Sequence, residues 1–459
     1  MTQREPLEHP NIILINCDDL GYGDLGCYGS KINKTAHLDR MAADGIRFTD
    51  FYMASPVCSP SRGAMLTGCY PRRIGFGSFD GKWVLFPGQG CGLNPSEITI
   101  AKLLKTKGYA TKLVGKWHCG DQPEFLPSRH GFDSYYGLPY SNDMGRQIGD
   151  RSEYPPLPLL RDEEVIQQQP DQASLTERYV EECVRFIREN KNRPFFLYFA
   201  HMYVHLPIYA PRRFLKSAMN GPYGAAVECI DWSVGVLLHE LSRLSLDSNT
   251  LVVFTSDNGS LATRGGSNVP LRGTKGTTWE GGQRVPCIMR WPGIVPTGIT
   301  CSELLTAMDL YPTFATLADV PLPQDRIIDG KDISLLMKGV GGERSPHEAF
   351  FYYSQDNLEA VRSGDWKLHV SRKGQEVREL YNLKSDIGET TNSVDHCPEI
   401  AAELEAKAIE IRRDIGDAFT GFDGVNCRPV GRVDNPKPLT VFDPSHPYIV
   451  AMYDIPDFG

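Results

Sequence analysis

The sequence predicts an α/β protein: a mostly parallel sheet sandwiched by helices, followed by a smaller α+β domain. Three observations carry this. Short apolar runs alternate with amphipathic ones through roughly the first two-thirds of the 459 residues, as strands do when helices cover both faces of one sheet. Four of the apolar runs are rich in β-branched or aromatic residues and have the length of buried strands. Near residue 345 the pattern changes to short runs separated by turns, and then to one long helix.

The four strands, in order, are Asn11–Cys17 (NIILINC), Ala110–Val114 (ATKLV), Phe195–Ala200 (FFLYFA) and Leu251–Thr255 (LVVFT). Helical periodicity fills the spaces between them at Thr35–Asp44, Ile98–Lys107, Ser174–Asn190 and Ala225–Leu244, and recurs at Thr306–Ala318. Further on, Ala349–Tyr353, Ala360–Arg362 and Trp366–Val370 read as short antiparallel strands, with Ser363-Gly364-Asp365 as a turn. A helix follows at Pro398–Ile415. The expected division is a catalytic α/β domain over 1–344, a small antiparallel sheet plus helix over 345–420, and an extended tail over 421–459. The tail from Phe422 is rich in Pro, Gly, Asn and Asp.

Such a length exceeds one compact core of ordinary size, so a large and a smaller domain are expected. Apolar residues make up 41% and charged residues 23%, ordinary for a soluble globular enzyme. A net charge of −9 argues against a nucleic-acid partner, which calls for a basic excess. It leaves room for an anionic small substrate, because a few buried cations can dominate a cleft locally. No uncharged apolar run of about 18 residues occurs, so no membrane span is expected. The opening MTQREPLEHPN is polar and lacks an apolar h-region, so no signal peptide is read. The location is then cytoplasmic, or periplasmic or secreted if a leader has been removed. Of twelve cysteines, Cys17, Cys183, Cys229 and Cys287 sit in apolar runs and read as buried free thiols. No CxxC pair or Cys/His zinc spacing occurs.

Each of the four strands runs straight into polar residues: Asp18-Asp19, then Lys116 and His118, then His201 and His205, then Asp257-Asn258. Ligands of open α/β sheets bind just outside the carboxyl ends of the strands, so four such clusters describe one shared rim. Taken alone, each has a plain structural reading. Asp18-Asp19 could cap a helix and Asp257-Asn258 could be a turn. Lys116 could lie on the surface, and His118 could be packed. Cys58-Ser59-Pro60-Ser61-Arg62 could be a thiol nucleophile at a helix N-terminus, or simply a helix start capped by Ser59 with Pro60 in its first turn.

The longer string decides between these. C-x-P-S-R-x-x-x-L-T-G resembles the signature of the type I, formylglycine-dependent sulfatases, and Cys58, Pro60, Ser61, Arg62, Leu66, Thr67 and Gly68 match every defined position. The resemblance extends over most of the chain and is closest to the arylsulfatase A and N-acetylgalactosamine-6-sulfatase types. It implies an alkaline-phosphatase-like mixed sheet, a bound calcium ion, and oxidation of Cys58 to formylglycine by a formylglycine-generating or maturase enzyme. The hydrated aldehyde has two hydroxyls: one attacks sulfur, and the other lets the aldehyde reform as sulfate leaves.

By the same resemblance Asp18, Asp19, Asp257, Asn258 and residue 58 hold the metal, a set of oxygen ligands suited to a hard cation. Gly115-Lys116-Trp117-His118 resembles the family's G-K-W-H, in which Lys116 contacts sulfate and His118 is the base that regenerates the aldehyde. His205-Leu206-Pro207 resembles its H-x-P, with His205 protonating the leaving alcohol. His201 is second in line or merely packed. The run from Leu271 to Gly282 resembles G-x-K-G-x-x-x-E-G-G, making Lys275 the second sulfate-binding lysine. Arg62 steadies the formylglycine, and Ser141, in Pro139-Tyr140-Ser141-Asn142-Asp143, touches it or lies in an exposed loop.

The expected function is a sulfuric-ester hydrolase acting on a sulfated carbohydrate or aryl sulfate. Arg264, Asn268, Trp279, Tyr140, Asn142 and Asp143 are either sugar contacts or structural. Two other functions stay open: a phosphonate monoester or phosphodiester hydrolase on the same fold, and a non-catalytic binding protein. The intact set Cys58, Arg62, Lys116, His118, His205 and Lys275 argues against the last.

Overall fold

The computed structural model describes residues 9–146, 154–339 and 341–448. The leader reading over residues 1–8 and the end of the tail, 449–459, lie outside them.

Among the described residues ten strands form the main sheet: β1 (Asn11–Cys17), β2 (Ile46–Phe48), β3 (Ala110–Gly115), β4 (Ser134–Gly137), β5 (Pro158–Arg161), β6 (Glu164–Gln168), β7 (Phe195–Ala200), β8 (Thr250–Ser256), β9 (Cys287–Arg290) and β10 (Ile299–Cys301). Their order is β10-β2-β9-β8-β1-β7-β3-β4-β5-β6. The centre, β8-β1-β7-β3-β4, is parallel, and five of the nine pairings are parallel in all. The sheet is therefore mixed, with its antiparallel pairings toward the two edges.

Alternation along β1 explains the layers. Ile12 and Leu14 join a core with the helices Cys58–Thr67, Ile100–Lys105 and Leu310–Leu317. Ile13, Ile15 and Cys17 join the opposite core, with Ala36–Ala43, Leu175–Asn190 and Gly221–Arg243. Both faces of the strand are fully buried, which is why it reads as a continuous apolar run. Each such Ile or Leu contributes about 1.5–3 kcal/mol of hydrophobic free energy. Cys17, Cys183, Cys229 and Cys287 are buried and free.

Phe350–Ser354, Asn357–Ser363, Trp366–Arg372 and Gln375–Asn382 form a separate four-stranded antiparallel meander, backed by the helix Pro398–Ile415. The fourth of these strands was not expected from sequence. Its QEVRELYN carries three charges in eight residues and gains its strand character from pairing with Trp366–Arg372. The tail is not wholly irregular either, for Gly431–Arg432 pairs antiparallel with Cys91–Gly92.

The small sheet is joined to the main body by apolar packing of Tyr52, Ala64 and Tyr70, and by a buried ionic network. Lys367 Nζ lies 2.9 Å from both Glu280 Oε1 and Glu389 Oε1, with all three side chains inaccessible. Glu389 also takes the Glu280 amide at 2.8 Å and lies 3.0 Å from His369 Nε2, while Tyr352 donates to Glu280 at 2.8 Å. Burial alone would raise the Glu280 pKa, but Lys367, Arg284 and Arg362 outweigh it and hold the group ionised. Removing one partner of such a pair strands a buried charge. We expect Lys367→Met to cost about 3–5 kcal/mol in denaturant unfolding. A loss below about 1 kcal/mol would show that the network does not tie the two sheets together.

Candidate active site

The four central parallel strands end along one edge, and the polar residues that follow them meet there. In register, Cys17 pairs with Ser256, and Asn16 and Gly115 both flank Ala200. Asp18-Asp19, Asp257-Asn258 and Lys116 are thus brought together by sheet register, and the loop after Ala200, whose Tyr203 carbonyl accepts the Asp18 amide at 3.1 Å, carries His205 to them. Gly115 makes the close approach possible. It has φ +112°, and a Cβ there would lie 1.9 Å from the Ala200 carbonyl oxygen, which only glycine avoids.

The helix Cys58–Thr67 presents Cys58 at its N-terminus to these carboxylates. The Cys58 thiol donates to Asp18 Oδ1 at 3.3 Å. Ser59 does not cap the helix. Val57 holds the N-cap position, and Ser59 Oγ instead accepts the Leu85 amide at 3.1 Å. One turn on, Arg62 is fully buried. Its Nε and Nη2 reach Asp257 Oδ2 at 2.9 and 2.8 Å, its Nη2 lies 3.5 Å from Asp18 Oδ2, and its Nη1 donates to the Lys116 carbonyl at 2.9 Å.

The remaining cations face the Asp pair. Lys116 makes a short contact with Asp18 Oδ2 and lies 3.4 Å from Ser141 Oγ. Lys275 Nζ lies 2.9 Å from Asp19 Oδ2. His205 Nε2 is 3.9 Å from the same oxygen, and the His205 Nδ1–H donates to the Leu206 carbonyl at 2.6 Å. Ser141 Oγ is 3.3 Å from His205 Nδ1, so Ser141 is at the cluster and not in an exposed loop. His118 has φ 56°. Its Nε2 bonds the Leu85 carbonyl at 3.0 Å, and its buried Nδ1 has no partner among the described residues.

Asp18, Asp19, Cys58 and His205 each offer a ligand atom within 4.8 Å of the others. Asp257 sits behind them, with Oδ1 accepting the Asp19 amide at 3.2 Å. Asn258 Nδ2 donates to Asp19 Oδ1 at 2.7 Å, while its buried Oδ1 is unpartnered among the described residues. Three buried carboxylates with an orphaned amide oxygen beside them form the donor set a hard divalent cation takes, so the residues present fit such an ion. A half-turn of the Asn258 amide would aim Oδ1 at Asp19, an arrangement that only a cation between them makes favourable.

The electrostatics follow from burial and charge. Burial alone would raise the Asp18 pKa, but Lys116, His205, Arg62 and Lys275 outweigh it and hold the carboxylate ionised. Asp257 is raised to about 6 by burial and by repulsion from Asp18. Burial opposes the Lys275 charge, yet Asp19, Cys58 and Asp18 overcome it and raise the ammonium pKa. His118 is held well below its ordinary value by burial and by Lys116, so it is neutral and Nδ1 is an acceptor. Burial, then Asp18 and Asp257, raises the Cys58 pKa well above that of a free thiol. The unmodified side chain is therefore a poor thiolate, which weighs against a thiol nucleophile.

Other residues singled out from the sequence fall outside this cluster. His201 is packed, with Nε2 3.2 Å from Thr176 Oγ1, Nδ1 accepting the Tyr203 amide, and a pKa lowered to about 3 by burial. Asn268 is structural, bonding Ser260 and the Gly273 carbonyl. Trp279 has Arg272 and Arg372 at 3.7 and 4.2 Å from its ring centre. Tyr140 is buried. Asn142 bonds Gln172 and the Pro207 carbonyl. Arg264 is exposed and Asp143 is buried. Leu85 was missed, since it acts through backbone groups that carry no sequence signal.

The chain matches the family model described as Sulfatase over residues 10–320, and the model of the N-sulphoglucosamine sulphohydrolase C-terminal region over 274–414. It is 43% identical to N-acetylgalactosamine-6-sulfatase of Canis lupus familiaris over 407 residues, covering 85% of this chain and 75% of that protein. It is 39% identical to arylsulfatase A of Homo sapiens over 428 residues, covering 83% of each. Among solved structures it is similar to Ps i-CgsB in complex with k-i-k-neocarrahexaose. That match has a TM-score of 0.79 and 31% identity, and it covers 91% of this chain and 96% of the other.

The raised thiol pKa gives a test in protein produced without maturation. At pH 8, iodoacetamide should label the exposed Cys427 and leave Cys58 unmodified, as read by peptide mass spectrometry. Labelling of Cys58 at a rate comparable to Cys427 would contradict this electrostatic picture.

Proposed function

Because the chain belongs to the sulfatase family, we propose that this strand-end cluster releases sulfate from a sulfated carbohydrate, with Cys58 as the formylglycine precursor and a calcium ion held by Asp18, Asp19, Asp257, Asn258 and residue 58. The observation that carries the reading is the convergence of Cys58, Arg62, Lys116, His118, His205 and Lys275, from four separate stretches of sequence, around one pair of aspartates. Conversion of Cys58 requires a formylglycine-generating or maturase enzyme. Support for a carbohydrate comes from relatives: one is named for a galactosamine sulfate, and a solved neighbour holds an oligosaccharide.

Charge balance favours an anionic substrate. Asp18, Asp19 and Asp257 are offset by Arg62, Lys116 and Lys275, so a divalent cation leaves the pocket with an excess of positive charge suited to sulfate. When bound, that cation supplies a hold on a sulfate oxygen and lowers the pKa of the nucleophilic hydroxyl. The hydrated aldehyde at position 58 supplies one hydroxyl for attack and a second whose proton departs when sulfate is expelled.

The chain's own groups do the rest. Lys116 and Lys275 contact sulfate oxygens and balance the charge that develops on them. Arg62 steadies residue 58. Because His118 is neutral with Nε2–H on Leu85, its Nδ1 can take the proton of the second hydroxyl. His205 gives a proton to the departing alcohol oxygen, with Ser141 beside it. Burial and Lys275 lower the His205 pKa, while a bound sulfate ester brings a negative charge that favours the protonated form.

The test is anion release by matured protein offered sulfated saccharides, an aryl sulfate and a phosphonate ester, with mass spectrometry confirming the aldehyde at position 58. Sulfate release is expected. Turnover of the phosphonate ester alone would instead identify a phosphonate monoester hydrolase. Cys58→Ala should lower turnover by about 10³-fold or more while keeping calcium, and full activity in it would exclude the mechanism. Asp257→Ala should lose calcium, measured by atomic emission, together with activity. A calcium-replete, active Asp257→Ala protein would refute the ligand assignment.

A further inference from the structure

We propose that a second cavity, next to the cluster, is a subsite for the sugar adjoining the sulfated one, so that the substrate is an oligosaccharide bearing a further anionic group. This rests on the sulfatase reading above and extends it to a substrate class. The cavity measures 520 Å³, and Trp83, Gly276, Gln355, Asn357, Glu359 and Lys373 are among the residues that line it. That volume lies in the range of ligand pockets, about 300–1,000 Å³.

Two chain connections place it beside the reacting groups. Gly276 follows Lys275, and its amide donates at 2.9 Å to the carbonyl of Pro56, two residues before Cys58. Across the cavity, Trp83 stands two residues before Leu85, whose amide meets Ser59 and whose carbonyl meets His118. A Cβ on Gly276 would lie 3.6 Å from Trp83 Cζ3, so the indole stands over the backbone just beyond Lys275. A sugar extending from a sulfate held by Lys275 would therefore enter between Trp83 and the small sheet.

The lining has the chemistry of an anionic sugar site. Trp83 is 43% exposed, a large apolar ring offered to solvent where the C–H face of a pyranose can pack. Trp279, also in the wall, already carries two guanidinium groups against its ring. The side chains of Gln355 and Asn357 and the ammonium of Lys373 make no hydrogen bond or ion pair among the described residues. They sit on rigid supports. Glu359 accepts the Lys373 amide at 2.9 Å and the Thr278 hydroxyl at 2.7 Å, which ties the hairpin tip to the Lys275 loop. Two amides for hydroxyls, one aromatic platform and one cation for an acidic substituent suit a sulfated sugar. A simple aryl sulfate would leave all four without contact.

Matured protein and its Trp83→Ala and Lys373→Met variants can be assayed with sulfated tetrasaccharides on galactose and N-acetylgalactosamine backbones, and with an aryl sulfate. For Trp83→Ala, the ratio of kcat/KM on the tetrasaccharide to that on the aryl sulfate should fall about tenfold, mainly through KM. Lys373→Met should lower the same ratio only for tetrasaccharides with a second sulfate. Calorimetric binding of the tetrasaccharides to Cys58→Ala protein, with and without Trp83→Ala, reads the subsite without turnover. Trp83-dependent binding with no sulfate release from the wild type would refute the hydrolase reading and leave the subsite standing. No binding, binding insensitive to Trp83, or an unchanged kcat/KM ratio would overturn the subsite.

Discussion

Three carboxylates buried at the ends of two neighbouring parallel strands set the terms for the rest of this molecule. Asp18, Asp19 and Asp257 are each almost inaccessible to solvent, and isolated charges in such a place are too costly to persist. Every cation near them is drawn in for that reason. Arg62 spans Asp18 and Asp257, Lys116 holds Asp18, and Lys275 holds Asp19. Burial, together with repulsion from these carboxylates, keeps Cys58 a thiol and raises Asp257. A site built this way suits the metal ion and the sulfate proposed for it, because each balances the charge that the other brings.

The Lys275 loop depends on the second sheet. Gly282 allows the loop to close on itself, since a Cβ there would lie 1.8 Å from the Thr277 carbonyl oxygen. Glu280 is held by Lys367 from the small sheet, and its amide by Glu389. The glutamate of the E-G-G string is therefore an anchor that fixes where Lys275 reaches, not a member of the cluster. It joins the loop that carries Lys275 to the sheet that lines the neighbouring cavity.

The placement of the strand-end residues was legible in the sequence because parallel strands in register bring consecutive polar ends to one edge. Asp18-Asp19 and Asp257-Asn258 needed only their strands to be recognised. What stayed illegible depends on tertiary closure. The Leu85 carbonyl opposite His118 is a backbone group, Lys367 opposite Glu280 is 87 residues away, and the charged strand Gln375–Asn382 takes its form from its neighbour. Ser59 reads as a cap in sequence, yet the backbone enters the helix two residues earlier, at a Val57 cap, and leaves the hydroxyl to hold Leu85. Trp83 lies in a segment with no periodicity, and only the fold sets it beside Gly276.

If the charged cluster directs attack at sulfur and breaks the sulfur–oxygen bond, water oxygen ends in the anion. Multiple turnovers of matured protein in ¹⁸O-labelled water, followed by mass spectrometry of both products, test this directly. Label in the released sulfate and none in the alcohol is the expected result. Label in the alcohol would mean cleavage at carbon and would contradict the mechanism built on Cys58, His205 and the two lysines.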